Sequence, residues 1–375
     1  MSNYFLTGAS GAVGSAIVPL LLAEPETNIR ILLRADSDEH LIRRMEALYK
    51  FWELGPESPG RARIEAIRGD ATLPRFGLDR DRYTPLCTDT HHIIHCAASV
   101  HMNKPLAEAR QSAVDSTQAI LALARQAAAG GALRKLEFVS TVGVGGKRPG
   151  ALPETWIEEP RDFHNTYEQS KAEAEVLVRS AIETEQLPVT VHRPSMVIGS
   201  SVDGRIIHFQ IFYFICEFLS GRRTLGLYPD FGEAQLDVIP VNRVAEAIVA
   251  ASRDRSTAGQ IFHLCSGPAH APRLEDLKAM VRESFGAHGL GVPPKLTLPR
   301  STFAALTRVA AVLAPAKYRK ALATLPIYLD YLSDNQGFDN TRFRQWMPKP
   351  QSDDAGTKQF LPTVFARYLN LRHPV

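Results

Sequence analysis

The chain has 375 residues, 43 basic against 40 acidic side chains, and a formal charge of +3. So even a balance gives no electrostatic footprint for nucleic acid, and 45% hydrophobic with 22% charged residues excludes an extended disordered chain. Four cysteines, Cys87, Cys96, Cys216 and Cys265, lie far apart with no C-x-x-C pair, which speaks for free thiols rather than a disulfide framework or a cysteine-built zinc site.

No basic and apolar leader opens the chain, and the longest apolar stretch, Ile206 to Leu219, carries His208, Gln210 and Glu217. It falls short of the roughly 20 residues of a spanning helix, so the expectation is a cytoplasmic protein with no transmembrane segment. In chain order, strands are expected at Asn3–Leu6, Asn28–Leu33, Arg63–Ile67, His91–His95, Lys135–Val139 and Val189–His192. Helices are expected at Ala12–Ala23, Asp38–Lys50, Leu106–Ala128 and Tyr167–Glu185, with Pro19 marking a kink in the first. Gly55–Gly60 and Lys147–Pro160 read as loops. Beyond Pro194 the aromatic run Ile206–Leu219 reads as a buried helix, and strands at Leu236–Ile239 and Ile261–Leu264 flank a helix over Val241–Ser252. The last hundred residues read as mostly helical, broken at Pro315 and Pro326. This alternation predicts an α/β fold with a doubly wound parallel sheet and a smaller, mostly helical C-terminal substrate region. The boundary is placed near residue 200: a dinucleotide-binding part over 1–200 and the rest over 201–375, with 236–265 returning to the first core.

Thr7-Gly8-Ala9-Ser10-Gly11-Ala12-Val13-Gly14 places three glycines between the first strand and first helix. A pyrophosphate needs such a tight turn, close backbone approach and a helix N-terminus, so the turn is a dinucleotide candidate, the alternative being a plain strand–helix turn. The second strand ends at Arg34, where a cation favours a 2′-phosphate and hence NADPH, with Arg44 as helper. Asp36 would instead serve NAD, and Arg43 with Arg44 also reads as a solvated helix face.

Tyr167 and Lys171 stand four apart on one face of a helix. A carbonyl accepting hydride needs a proton donor, and an ammonium beside a phenol stabilises its phenolate. Ser140 and Thr141 end the fifth strand, where a hydroxyl meets the ligand crevice. The alternatives are an exposed helix face and a turn cap. Twelve histidines contain no H-E-x-x-H, and His91, His92 and His95 alternate along a strand, so no metal is expected.

With these residues together, the sequence resembles the extended short-chain dehydrogenase/reductases over about residues 4 to 265, and within them the thioester reductase and fatty acyl reductase (male-sterility-type) branch. The phrases that carry it are I-I-H-C-A-A-S-V (93–100), F-V-S-T-V (138–142), Y-E-Q-S-K-A-E-A-E (167–175), H-R-P-S-M-V-I-G (192–199) and L-D-V-I-P-V-N-R-V-A-E-A-I (236–248). The resemblance implies a Rossmann domain, Thr141 rather than Ser140 as the catalytic hydroxyl, Tyr167 as acid and Lys171 as the cation that binds ribose and tunes the phenol. It implies Asp70 at the adenine, Ala97 and Ala98 close to the cofactor, and Pro194 and Ser195 beside the nicotinamide. Relatives often carry Asn-Val-x-Gly-Thr where this chain has Ala113-Val114-Asp115-Ser116-Thr117, so a relay through that asparagine is absent or replaced.

The implied reaction is NADPH-dependent reduction of an acyl thioester, on CoA or a carrier protein, to an aldehyde and on to an alcohol if a second reduction follows. The rival is reduction of a ketone or aldehyde, or oxidation of a hydroxy compound. A sugar-nucleotide epimerase and a non-catalytic dinucleotide sensor stand further off. On the substrate side the aromatic run is either an acyl wall or core, and Arg222 with Arg223 either meets a phosphate or is solvated. Ser301–Leu332 caps a tunnel, touches a membrane surface peripherally, or packs on the small domain.

Overall fold

In the computed structural model, residues 1–313, 336–347 and 356–374 are described. Seven parallel strands form one sheet: β1 (Ser2–Thr7), β2 (Thr27–Leu33), β3 (Ile64–Arg68), β4 (His92–His95), β5 (Lys135–Val139), β6 (Val189–Pro194) and β7 (Ile261–Leu264), in the order β7-β6-β5-β4-β1-β2-β3. Leu6 pairs with Ile31 of β2 on one side and Ile94 of β4 on the other. The order reverses between β1 and β4, which opens a crevice above the carboxyl ends of those strands.

β4, β6 and β7 are buried along their whole length because helices cover both faces. Phe5, Ile93, Leu136 and Phe138 pack against α3 (Arg80–Asp89), α4 (Ser116–Ala129) and α5 (Thr166–Glu185). The alternate residues Tyr4, Leu6, Ile31 and Ile94 meet α1 (Ala12–Leu22), α2 (Asp38–Phe51) and α7 (Val241–Arg253). A further apolar cluster lies outside the sheet. In it α6 (Ile211–Leu219), α8 (Leu274–Ala287) and α10 (Thr357–Arg372) bury Phe212, Tyr213, Val281, Phe365 and Tyr368. Between them in the chain, α9 spans Arg300–Leu313, and its Phe303 packs 6.3 Å from Phe218. No helix among the described residues is long and apolar enough to cross a membrane.

Pro19 sits inside α1, where the sequence places it; the Ser15 carbonyl four residues back, which loses its helix donor, accepts the Trp52 indole N–H at 2.8 Å. Several local expectations are corrected. The sequence between β3 and β4 gave no helix, yet α3 forms there with Pro85 inside, its N-terminus capped by Asp79 accepting from the Arg82 N–H at 2.9 Å. The long helix expected from Leu106 is a short helix Leu106–Arg110, a π turn Gln111–Asp115 and then α4. The expected loops carry a short helix, Pro59–Ala62, and a short strand, Gly150–Leu152. The aromatic helix begins at Ile211, not Ile206, and Val238–Pro240 pairs with Met196–Ile198 apart from the main sheet. Gly150–Leu152 pairs in parallel with Gln336–Phe338. Pro315, Pro326 and residues 314–332 of the expected capping segment lie outside the described residues.

Candidate active site

Between β1 and α1 the glycines are forced by contact. Gly8 holds φ +79°, and a Cβ there would lie 2.6 Å from the Cys96 carbonyl carbon. A Cβ on Gly14 would lie 2.3 Å from the Gly8 oxygen, so the helix start and the turn touch backbone to backbone. Gly11 is the N-cap and offers no side-chain acceptor, which leaves the first N–H groups of α1 directed at the crevice. Thr7 turns inward: its hydroxyl lies 2.8 Å from His95 Nδ1 and accepts the Ala97 N–H at 3.3 Å, tying β1 to the chain after β4.

At the end of β2 a cationic corner forms. Arg44 donates to the Arg34 carbonyl and, through Nη2, to Ser10 Oγ at 3.0 Å. The Arg34 side chain is 74% exposed and lies 3.9 Å from Asp70 Oδ2. Asp70 Oδ1 accepts both the N–H and the hydroxyl of Thr72 at 2.9 Å. Asp36, the rival for a ribose hydroxyl, is exposed and paired with His40 at 3.2 Å.

Beyond the turn, three side chains converge. Thr141 follows β5, and its hydroxyl accepts the Gly143 N–H at 3.1 Å and is hydrogen-bonded to the Tyr167 phenol. Tyr167 opens α5, whose N-terminus is set by Asn165 Oδ1 accepting from the Glu168 N–H at 3.0 Å. Burial pushes the phenol up to about 12, against the pull of the Thr141 bond, so it holds its proton at neutral pH. Lys171, one turn on, donates to the Val139 carbonyl at 2.7 Å and sits 4.5 Å over the Phe138 ring. Desolvation brings its ammonium down to about 8, with Glu175 pulling the other way.

One cavity of about 540 Å³ gathers most of these groups. Gly8, Gly11, Ala12, Val13 and Gly14 line it, and so does Ala98. Thr141, Tyr167, Lys171, Pro194 and Ser195 line it as well. Thr7, Ser10, Arg34, Arg44, Asp70 and Ala97 are not on its wall: Ala97 donates to Thr7, Ser10 in the turn accepts from Arg44, and Arg34 and Asp70 stand near each other after β2 and β3. The hydroxyls of Ser140 and Ser195 face no partner although buried, and both residues line the cavity. Where an asparagine was missing from the sequence, the π turn carries buried Ala113; nearby polar groups are Ser116, which donates to the Ser112 carbonyl at 2.6 Å, and His95, whose ring burial holds neutral at about 3.

The aromatic run divides. Phe209 and Phe214 line the cavity, whereas Phe212, Tyr213 and Phe218 fill the outer core. Arg222 is exposed, and Arg223 stands 3.8 Å from Glu217, away from the cavity wall. Sequence reasoning missed Met102, Asn103, His208 and Gln210, which line the cavity from loops that have no periodicity. It also missed the buried bidentate pair Arg193–Glu175, at 2.9 and 2.6 Å, which joins the strand end bearing Pro194 to the helix bearing Lys171. Both residues lie inside phrases already quoted, so the signal was present without a role attached.

The chain matches the male sterility protein family over residues 6–248. It is 29% identical over 284 residues to an isonitrile lipopeptide synthase of Streptomyces coeruleorubidus, covering 74% of this chain and 18% of that protein. It is 30% identical over 293 residues to the glycine betaine reductase of Emericella nidulans, covering 73% and 22%. It spans about a fifth of the length of these relatives. Among solved structures, the terminal R domain of the myxalamid PKS-NRPS pathway superposes with a TM-score of 0.80 at 26% identity, covering all of this chain and 92% of that one. The reductase domain of a non-ribosomal peptide synthetase from Mycobacterium tuberculosis gives a TM-score of 0.70 at 22% identity over 99% and 92%. Joined to a glycine turn, a paired tyrosine and threonine and a buried lysine above a seven-stranded parallel sheet, the family match means that this chain belongs to the male sterility family of NAD(P)-binding oxidoreductases, of the extended short-chain dehydrogenase/reductase type.

Proposed function

We propose that this protein uses NADPH to reduce an acyl thioester, presented on a carrier protein or CoA, to an aldehyde and a free thiol. The observation that carries the reading is the Thr141–Tyr167 hydrogen bond in the same cavity as the glycine turn, with Lys171 one helical turn away. The relatives named as reductases, and the reductase domains of peptide synthetases that share the fold, support the same reaction class. The glycine turn suits a pyrophosphate, and the joined Arg44, Ser10 and Arg34 suit a 2′-phosphate better than the exposed, paired Asp36 does. We also take residues 1–200 as the cofactor-binding part and 201–375 as the substrate part.

When bound, NADPH supplies a hydride to the thioester carbon. Thr141 and Tyr167 hold the carbonyl oxygen from two sides, and the Tyr167 proton passes to it as negative charge develops. The hemithioacetal so formed collapses, the carbon–sulfur bond breaks, and the thiol leaves with the aldehyde. Lys171 stays cationic below pH about 8 and offsets the charge left on the phenolate. The test follows NADPH oxidation and free thiol together across a series of acyl-CoA and acyl-carrier thioesters. Coupled loss of NADPH and release of thiol, lowered about 100- to 10,000-fold in Tyr167→Phe, is the expected result. Turnover of aldehydes and ketones with no thioester turned over would move the function to carbonyl reduction.

A further inference from the structure

A second cavity, of about 610 Å³, lies at the opposite end of the sheet from the glycine turn. Among the described residues, none lines both it and the cavity of Tyr167 and Lys171. A volume of that size is typical of a small-molecule site. Its floor is polar and buried. Tyr4 of β1 pairs in register with His92 of β4, and the two rings stack with centroids 4.5 Å apart. The Tyr4 hydroxyl lies 3.2 Å from Ser252 Oγ near the end of α7, and none of the three residues is more than 6% exposed. Burial, and after it the charge of Arg134, brings the His92 imidazole down to about 4, so the ring is uncharged at neutral pH.

Three arginines stand around this floor: Arg134 just before β5, Arg253 at the end of α7 and Arg255 in the turn after it. Two carboxylates line the cavity as well, and each has a partner. Glu24 lies 3.2 Å from Arg253, and Glu26 lies 3.4 Å from the N-terminal ammonium. Among the described residues, the guanidinium groups of Arg134 and Arg255 find no ion-pair or hydrogen-bond partner. Two unanswered guanidinium forks suit a group with two negative charges and several acceptor oxygens, which describes a phosphate better than a carboxylate. We infer that this cavity binds a phosphate group, free or borne by a small ester, held by Arg134 and Arg255 over the Tyr4–His92–Ser252 floor. The inference is independent of the thioester reading, since it concerns the amino ends of the strands and not their carboxyl ends.

The test titrates the full chain by calorimetry with glycerol 3-phosphate, inorganic phosphate and glycerol, in the presence of saturating NADP⁺ so that the glycine turn and the β2 corner are not open to the probes. Glycerol 3-phosphate should bind at one site with a Kd of about 1 mM or tighter, and glycerol should not bind. Arg134→Ala and Arg255→Ala, both at exposed positions, should each weaken binding about tenfold with thermal unfolding unchanged. Arg222→Ala, an exposed arginine on neither cavity wall, should leave it unchanged. Absence of binding by both phosphate compounds overturns the inference. So does equal weakening by Arg222→Ala, or undiminished binding in the Arg134→Ala, Arg255→Ala double variant. Tighter binding of the ester than of inorganic phosphate identifies an ester as the ligand, and equal binding identifies free phosphate.

Discussion

A buried lysine stands at each end of strand β5, Lys135 within the strand and Lys171 reaching its last carbonyl from α5, and the two are opposites. Lys135, at its start, is 1% exposed and saturated: its ammonium donates to Glu137 at 3.1 Å, to the Ala251 carbonyl at 3.2 Å, to Thr257 at 2.7 Å and to Thr190. Glu137 gives its other oxygen to His192 Nε2 at 2.6 Å. Lys171, at the other end, is 2% exposed and donates to a single carbonyl, with an aromatic face below it. The first charge is spent inside the fold. The second has donors to spare and stands in a cavity, which is what a cation serving a ligand requires.

That contrast breaks most visibly in activity. Lys171→Met should cut kcat by about 100-fold or more with the far-ultraviolet circular dichroism unchanged, whereas Lys135→Met should keep the specific activity of whatever fraction remains folded. Loss of turnover in both, at equal stability, would dissolve the distinction. Stability should move in opposite directions. Lys135→Met leaves the Glu137 carboxylate buried with His192 alone and should cost about 3–5 kcal/mol in urea unfolding. Lys171→Met removes a charge that burial disfavours and should stabilise the ligand-free protein by about 3 kcal/mol at pH 7, from the fall of the lysine from 10.5 to about 8.

The sign of the pH dependence sharpens the same point. Between pH about 8 and 10.5 the unfolded chain holds more protons at Lys171 than the folded one. The penalty is therefore complete below pH 8 and fades as pH rises, so the gain from Lys171→Met should vanish by about pH 10.5. Over the same start of that window kcat/KM should decline above pH 8 in the wild type as the cation is lost. The smallest expected effect lies at the β2 corner: Arg44→Ala should raise the KM for NADPH about tenfold, through one lost charge-assisted bond, and leave that for NADH within twofold.

Much of this was legible in the chain. Six of the seven strands of the sheet were legible in the first two hundred residues, and β7 beyond them, because short runs bounded by turn residues mark strands even where a buried polar side chain interrupts them. Tyr167 and Lys171 were picked out by helical spacing and a hydroxyl at Ser140 or Thr141 by the strand end, whereas the choice of Thr141 came from the family resemblance alone. Helix α3 escaped because Pro85 and a run of charges mask its periodicity, and the π turn because no spacing rule marks five residues wound one turn wider. Phe209 was read into a helix, but Ile206–Gln210 is irregular chain that brings His208, Phe209 and Gln210 to the cavity. Contacts such as Arg193–Glu175 join elements distant in space, and pattern alone does not pair them.

Glu154 sets an order of events for a chain being made from its N-terminus. Its carboxylate, 3% exposed, accepts the backbone N–H groups of His263 at 2.8 Å, Arg342 at 2.6 Å and Phe343 at 3.2 Å. None of those donors exists when the first six strands have been synthesised, and the last comes almost two hundred residues later. Until then the carboxylate must stay hydrated, so the burial of Glu154 waits for Arg342 and Phe343. Protease sensitivity at residues 147–160 in chains stalled on the ribosome should therefore disappear only once Arg342 and Phe343 have emerged.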